Sequence, residues 1–337
     1  MRAIVQDSYG ALDELALGEV DRPTPGEDEV LIRVRAASVH PDVWHVVSGR
    51  PSVLRLMGAG VRHPKERVPG TDAAGVVEIV GAAVTRFRPG DEVYGETLRG
   101  IQWRNGGAFA EYATAPEAAV ALKPSGVSFE EAAAVPTAGL IALHNLPRRR
   151  VSPGNRVLVN GAAGGVGAIA LQLAKAYGAH VTGVDHPRKL ALLRSLGADR
   201  VIDYTREDYT RGGEHWDLIF DVPGNNSFGS NRRALVSRGA YVLIGHDAYG
   251  AAGHHWLGNI PLMLALVVGS AMVPELRGGS FASPDKRQLM STLTQLLEAG
   301  KLRIVVDQTF PLAQASEAMR YLASGQPVGR VVLTVEN

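Results

Sequence analysis

The run Val157-Leu158-Val159-Asn160-Gly161-Ala162-Ala163-Gly164-Gly165-Val166-Gly167 decides how this chain folds. Its three leading apolar residues suit a short strand buried on both faces, and from Val166 the apolar positions recur at Ile169, Leu173 and Tyr177, the spacing of one helix face. A strand, a glycine turn and a helix therefore follow one another without a gap. Gly164 lets the backbone approach a pyrophosphate, and Gly167 lets the helix pack closely on the strand. The helix N-terminus offers N–H groups and a positive dipole end to phosphate oxygens. Ala162 stands where the usual fingerprint has its first glycine, so the triplet alone is a weak signal. Asp185 supplies context: it closes the next apolar run, residues 181–184, about twenty residues on, where an acidic group meets the adenosine ribose of a dinucleotide. The stretch is predicted to bind a dinucleotide through Gly161, Ala162, Gly164, Gly165, Val166 and Gly167. The plain alternative is a strand-to-helix turn whose glycines serve packing only.

Outward on the C-terminal side, apolar runs at residues 201–202, 218–220 and 241–244 follow a helical pattern at 187–196, and such alternation implies parallel strands joined by right-handed crossovers. Residues 285–299 then read as an amphipathic helix ended by Gly300, followed by a short strand at 304–306, a helix at 313–322 and a closing strand at 331–335. On the N-terminal side the chain is β-rich: apolar runs at 30–37 and 73–80, with turn signals such as Pro89-Gly90-Asp91, suggest a small barrel. Between the halves, Ser128 with Glu130 and Glu131 opens an alanine-rich helix, and Pro136 breaks it before a second helical run to Leu146. At 337 residues the chain exceeds the size at which single cores split. The expected fold is α/β: a doubly wound parallel-sheet (Rossmann) domain at residues 125–265, and a barrel domain from residues 1–124 and 266–337.

Lys plus Arg number 35 and Asp plus Glu 34, with no long run of like charge, so neither a nucleic-acid footprint nor a polybasic membrane anchor is indicated. A small molecule is the expected partner. The chain has no cysteine, which excludes disulfides, thiolate zinc sites and redox-active thiols. Charge follows Met1 at once in Arg2, no secretory signal is read, and the cytoplasm is the expected compartment. The most apolar stretch, residues 256–273, is broken by Gly258, Asn259, Pro261, Gly269 and Ser270 and is too short to span a bilayer. It suits an interface or the wall of a cleft.

Further runs carry a likeness: Pro69-Gly70-Thr71-Asp72-Ala73-Ala74-Gly75-Val76-Val77, Gly106-Gly107-Ala108-Phe109-Ala110-Glu111-Tyr112 and Ala134-Val135-Pro136-Thr137-Ala138. To these add the glycine turn, Leu196-Gly197-Ala198-Asp199, Val201-Ile202-Asp203-Tyr204 and the ending Gly329-Arg330-Val331-Val332-Leu333-Thr334-Val335. Over nearly its whole length the chain resembles the zinc-free quinone oxidoreductase (zeta-crystallin-like) branch of the medium-chain dehydrogenase/reductase superfamily. The resemblance implies a chaperonin-like (GroES-like) β-barrel holding the substrate, a Rossmann domain holding the cofactor, and a cleft between them. In the zinc alcohol dehydrogenases of the same superfamily the metal ligands fall where this chain has His40, Gly70-Thr71-Asp72 and the neighbourhood of Val135. One ligand type of three remains, a catalytic zinc needs three, and no zinc is expected. Without a Lewis acid the substrate must accept hydride unaided, which fits quinones and α,β-unsaturated ketones.

His40, Asp42, Trp44 and His45 follow the strand at 30–37, in the segment that lines the substrate cleft in the resembled family. Two roles fit His40, where quinone reductases commonly carry asparagine: stabilising or protonating the substrate oxyanion near neutral pH, or capping a turn. Asp42 and His45 share that chemistry or satisfy one another in the wall, and Trp44 reads as packing. Thr137 heads the bridging helix, and the resemblance implies a hydroxyl facing the nicotinamide. Gly245, with His246 beside it, ends the strand at 241–244, where parallel strands meet ligand, and Arg330 lies in the closing motif. The basic stretch 50–67 reads as a solvated flap, with steering of an anionic substrate as the alternative. His254-His255 lack the further ligands of a metal site.

Cofactor choice sets two signals against each other. Asp185 should accept from the ribose hydroxyls of NADH and repel a 2′-phosphate. Lys189 and Tyr204 match positions at which NADPH-using quinone reductases hold that phosphate, and Arg188 adds a cation beside them. A charge-assisted bond of roughly 1.5–3 kcal/mol outweighs an exposed charge pair at about 1 kcal/mol. NADPH or NADH is expected, with a modest NADPH preference. The resemblance also implies a homodimer paired through residues 262–268. The expected activity is reduction of a quinone or activated alkene, with alcohol oxidation or a non-catalytic nucleotide-binding role as alternatives.

Overall fold

The computed structural model describes residues 1–10, 12–99, 104–245, 256–257, 261, 264–265, 268, 273, 275 and 285–336. Strands β1 (Arg2–Val5) and β2 (Ala16–Glu19) form an antiparallel ribbon. The long strand β3 (Glu29–Val39) is buried over most of its length and is the axis of the next sheet. Helix α1 (Pro41–Ser48) leaves it directly, because Pro41 has its φ set for a first helical position and Gly49, at φ 62°, supplies the left-handed residue that ends it. The sequence reading gave no helix here; Asp42, His45 and Ser48 recur at helical spacing, but every residue from Asp42 to Ser48 is buried, so this polar stripe marks no solvent face. Strands β4 (Asp72–Val80), β5 (Glu92–Glu96), β6 (Tyr112–Pro116) and β7 (Val120–Leu122) extend the sheet.

Helices α2 (Phe129–Ala133) and α3 (Pro136–Asn145) lead out of the barrel. Ser128 and Glu131 close a reciprocal capping box at the start of α2. Helix α3 is buried from Pro136 to Leu140, as a helix without a polar face must be.

Strand β8 (Arg156–Asn160), α4 (Gly165–Ala176), β9 (His180–Asp185), α5 (Leu190–Ser195), β10 (Arg200–Asp203), β11 (Trp216–Asp221), α6 (Phe228–Arg233) and β12 (Leu235–Leu243) build the second sheet. All its pairings are parallel, in the order β10-β9-β8-β11-β12. The chain works outward from β8 to β10 and then returns to β11, so the reversal falls between β8 and β11. Open sheets of this kind bind ligands there, at the C-terminal strand ends.

Helix α7 (Lys286–Glu298) is capped by Asp285 and buries Met290, Leu293 and Leu297 in the core shared with α3 and α4. A Cβ on Gly139 of α3 would lie 2.6 Å from Leu293, so glycine permits that close crossing. Strand β13 (Val306–Pro311), α8 (Ala315–Ala323) and β14 (Arg330–Thr334) finish the chain. Because β14 pairs with β3, the C-terminus returns to the barrel sheet, ordered β13-β14-β3-β4-β5-β7 with β6 also on β3. The strand expected at 304–306 lies instead at 306–311, where exposed Asp307, Gln308 and Thr309 follow the parallel register of β14 rather than an apolar pattern. The helix expected at 187–196 is a 3-10 turn (Pro187–Lys189) followed by α5, and α6, short and polar, was not expected. His246, His254, His255, Leu262, Met263, Leu266 and Val267 lie outside the described residues.

Gly167 sits where α4 crosses the turn that precedes it: a Cβ there would lie 2.1 Å from the Gly161 carbonyl oxygen. Gly167→Ala is expected to destabilise the protein by about 1–3 kcal/mol, the cost of overpacking. Thermal melts should show a lower midpoint, and an unchanged midpoint would mean that α4 shifts freely.

Candidate active site

Strand β3 delivers His40 to the N-cap of α1, in extended backbone, with Asp42 in the first turn and His45 one turn on. His40, Asp42 and His45 are all buried. His40 Nε2 lies 2.7 Å from Thr71 Oγ1 and 3.7 Å from Asp72 Oδ2, and its Nδ1 lies 3.8 Å from Asp42 Oδ2. His45 turns away from this group: its Nδ1 donates to the Arg50 carbonyl at 2.8 Å and holds the loop after α1. Trp44 packs in the barrel core, edge-on to the His45 ring. In the basic stretch, Arg55 lies over the Tyr9 ring and Arg67 pairs with Asp7, while Arg62, His63 and Lys65 are exposed.

Strands β4 and β5 place Asp72 directly opposite Glu96. Like charges opposed across a ladder repel, yet both side chains are buried. Asp72 accepts the Thr137 backbone N–H at 3.2 and 3.3 Å, at the start of α3, where the helix dipole favours a carboxylate. Thr137 Oγ1 lies 2.6 Å from Asp72 Oδ1 and 3.1 Å from Glu96 Oε1. The hydroxyl expected to face the nicotinamide is thus engaged with two carboxyls. Lys286 pairs with the remaining Glu96 oxygen, Oε2. Burial first, and the Glu96 charge second, push the Asp72 pKa up to about 8, against the Thr137 hydrogen bonds and the Arg330 charge.

The glycine turn is pinned from below. The N–H groups of Gly161 and Ala162 both donate to the Val184 carbonyl, at 3.0 and 3.1 Å, and Gly161 takes φ 74°. Ala162 occupies the usual glycine position because the neighbouring strand gives way: a Cβ on Gly183 would lie 3.3 Å from the Ala162 methyl. Asp185 accepts the Ala163 N–H at 2.8 Å through one oxygen and the His186 N–H at 2.8 Å through the other, so it braces the turn. Gly164 caps α4 without a side chain, which leaves the N–H groups of Gly165, Val166 and Gly167 for a ligand. From the barrel, Arg330 of β14 reaches the same turn: its Nη1 stands 1.5 Å from where a Gly165 Cβ would be, and its Nη2 donates to Ser38 Oγ at 3.0 Å.

At the ends of β9 and β10, paired so that Asp185 faces Asp203, the His186 and Tyr204 rings meet edge to face at 6.1 Å. Exposed Arg188 and half-buried Lys189 flank them, and Gly245, at φ 74°, follows β12. Backbone donors, an arginine and an open cationic rim fit the phosphates of a dinucleotide. The same test fails for zinc: Thr71 and Val135 offer no ligand at its expected places, and no three His, Asp or Glu among the described residues converge as a metal site.

Residues 26–125 match the family described as alcohol dehydrogenase GroES-like domain, and residues 196–333 the one described as zinc-binding dehydrogenase. The chain is 34% identical over 344 residues to the 2-methylene-furan-3-one reductase of Solanum lycopersicum, covering 99% of this chain and 79% of that protein. It is 33% identical, with the same coverage, to the chloroplastic NADPH-dependent alkenal/one oxidoreductase of Arabidopsis thaliana. The chain belongs to the quinone oxidoreductase branch of the medium-chain dehydrogenase/reductase family. The quinone oxidoreductase of Coxiella burnetii superposes on this medium-chain reductase with a TM-score of 0.80 at 27% identity, covering 100% of this chain and 99% of that one.

Sequence reasoning did not assign roles to Thr71, Asp72, Glu96, Lys286 or His186 in this reductase. A charge embedded in an apolar run, as Asp72 is before 73–80 and Glu96 is after Val93-Tyr94-Gly95, was the available signal. The folded state holds the Asp72 proton up to about pH 8, whereas an unfolded aspartate loses it near about 4. The folded state therefore binds more protons in that window, and stability falls as pH rises through it. Asp72→Asn is expected to gain stability on the parent from about pH 4 to about pH 8 and to keep a constant difference outside those limits. Urea melts across pH test this, and a pH-independent difference contradicts it.

Proposed function

We propose that this chain transfers hydride from a reduced nicotinamide dinucleotide to a quinone or an α,β-unsaturated carbonyl compound. The carrying observation is the meeting of Arg330 with the uncapped start of α4, and the relatives reduce such compounds by name. When bound, the cofactor supplies a two-electron hydride. The N–H groups of Gly165, Val166 and Gly167 hold its pyrophosphate, with Gly161 and Ala162 shaping the turn, Gly164, whose own N–H donates to the Gly161 carbonyl at 3.1 Å, letting the phosphates come close, and Arg330 neutralising charge. Gly245 lines the nicotinamide side. His40 donates to the substrate oxygen, Asp42 orients it, and Thr137 and His45 hold the walls.

Arg188, Lys189 and Tyr204 take the 2′-phosphate of NADPH. Asp185 opposes that phosphate less than its charge suggests, because two backbone N–H groups already engage its carboxylate, and a modest NADPH preference follows. The donor set supports catalysis without zinc. A homodimer through residues 262–268 is supported by Leu264 and Val268, one turn apart and 60% and 69% exposed. The domain division at 124/125 and 265/266 and a cytoplasmic setting complete the proposal; no helix among the described residues is long and apolar enough to cross a membrane.

Steady-state kinetics with both cofactors and a small enone test the reading. Lys189→Ala should cut kcat/KM for NADPH about tenfold, the equivalent of roughly 1.5 kcal/mol, and spare NADH. Asp185→Ser should weaken both cofactors, since it releases the Ala163 N–H, and a strong chelator should change nothing. A strong NADH preference that Lys189→Ala leaves untouched would overturn the phosphate assignment.

A further inference from the structure

Thr137 Oγ1 lies within hydrogen-bond distance of Asp72 Oδ1, at 2.6 Å, and of Glu96 Oε1, at 3.1 Å, and a hydroxyl has one hydrogen to give. Were both carboxyls ionised, one contact would oppose lone pair to lone pair, in a cluster where Asp72, Thr137 and Glu96 are each at most 4% exposed. Both contacts become hydrogen bonds when one carboxyl carries a proton and donates to the hydroxyl while the hydroxyl donates to the other. The strand register gives the same answer, because two carboxylates fixed opposite each other cannot both ionise cheaply, and a shared proton relieves them. Among the described residues, the charged and titratable groups around the pair are His40 at the end of β3, with Asp42 of α1 against its other ring nitrogen, Lys286 of α7 on Glu96 Oε2, and Arg330 of β14. Lys286 makes Glu96 the accepting end of the chain, which leaves the proton toward Asp72 and so toward His40.

We propose that Asp72 and Glu96, bridged by the Thr137 hydroxyl, store one proton and return it to His40 after His40 has protonated the reduced substrate. The inference rests on the proposed reduction of an enone or quinone. Asp72 Oδ2 is 3.7 Å from His40 Nε2, and the Thr71 hydroxyl touches the same nitrogen at 2.7 Å. In the reduction of an enone, a hydride adds to the β carbon at the expense of the reduced dinucleotide's C–H bond, the alkene pair becomes a double bond between the α carbon and the carbonyl carbon, and the carbonyl π pair moves on to the oxygen; the enol that forms once this oxygen is protonated takes its α hydrogen from water as it reverts to the ketone and returns its O–H proton. An N–H bond of protonated His40 breaks as an O–H bond forms on that oxygen. The O–H bond of the carboxyl pair then breaks as the His40 N–H bond re-forms, and the pair regains a proton from water. Asp72 and Glu96 touch no reacting atom in this scheme; they act through His40.

Infrared spectroscopy of the whole protein without cofactor or substrate, titrated with base, reads the stored proton directly. The parent should show a protonated-carboxyl carbonyl band that disappears through about pH 8. Asp72→Asn should lack it, and in Glu96→Gln it should disappear at a pH lower by roughly one unit, because the opposing charge is gone. The alkaline limb of kcat should move by the same amount in Glu96→Gln, whereas a merely structural fault lowers kcat alike at every pH. A parent without the band, or a Glu96→Gln enzyme whose limb does not move, would overturn the proposal. A parent that shows the band but oxidises no reduced nicotinamide with any enone or quinone would overturn the functional reading, and with it the delivery step, while leaving the stored proton established.

Discussion

A buried carboxyl at the start of a buried helix holds this molecule's two halves in register. Asp72 comes from the barrel sheet and accepts the first-turn N–H of α3, the helix that carries the chain out of that sheet. Helix α3 shares its core with α4 and α7, and α4 begins at the glycine turn. Asp72 is thus joined to the place where phosphates bind by a contiguous set of packed elements.

The carboxyl that ties the fold together is also the one whose ionisation the fold opposes. Its burial and the Glu96 charge favour the protonated form, while the Thr137 donors and Arg330 favour the charged one. Arg330 belongs to both halves of the account: it bears on Asp72 and lies against Gly165 in the cofactor turn. An anionic pyrophosphate at that turn would draw on the same guanidinium, so cofactor binding and the charge state of the barrel cluster share one cation.

What the sequence disclosed was what is local. The strand, turn and helix at 157–177 could be read because glycine positions and helical period are fixed by neighbours in the chain, and the structure adds only that Gly183 makes room for Ala162. The alternation of the second half likewise disclosed its parallel sheet. By contrast, the pairing of Asp72 with Glu96 depends on a cross-strand register between residues 24 positions apart, and Lys286 reaches them from a helix near the other end of the chain. Helix α1 escaped notice because it is buried all round, and β13 because its register is borrowed from β14. Asp185 was recognised as important, but its two backbone partners could not be foreseen from spacing.

In the proposed reaction, hydride passes from the nicotinamide to an activated alkene while the protein supplies a proton of different origin. Mass spectrometry of the product formed from a small enone and cofactor deuterated at the transferring position tests it most directly. One deuterium at the β carbon and a solvent-derived hydrogen at the α carbon are expected. A product without cofactor-derived deuterium, or with label distributed over both carbons, would contradict it.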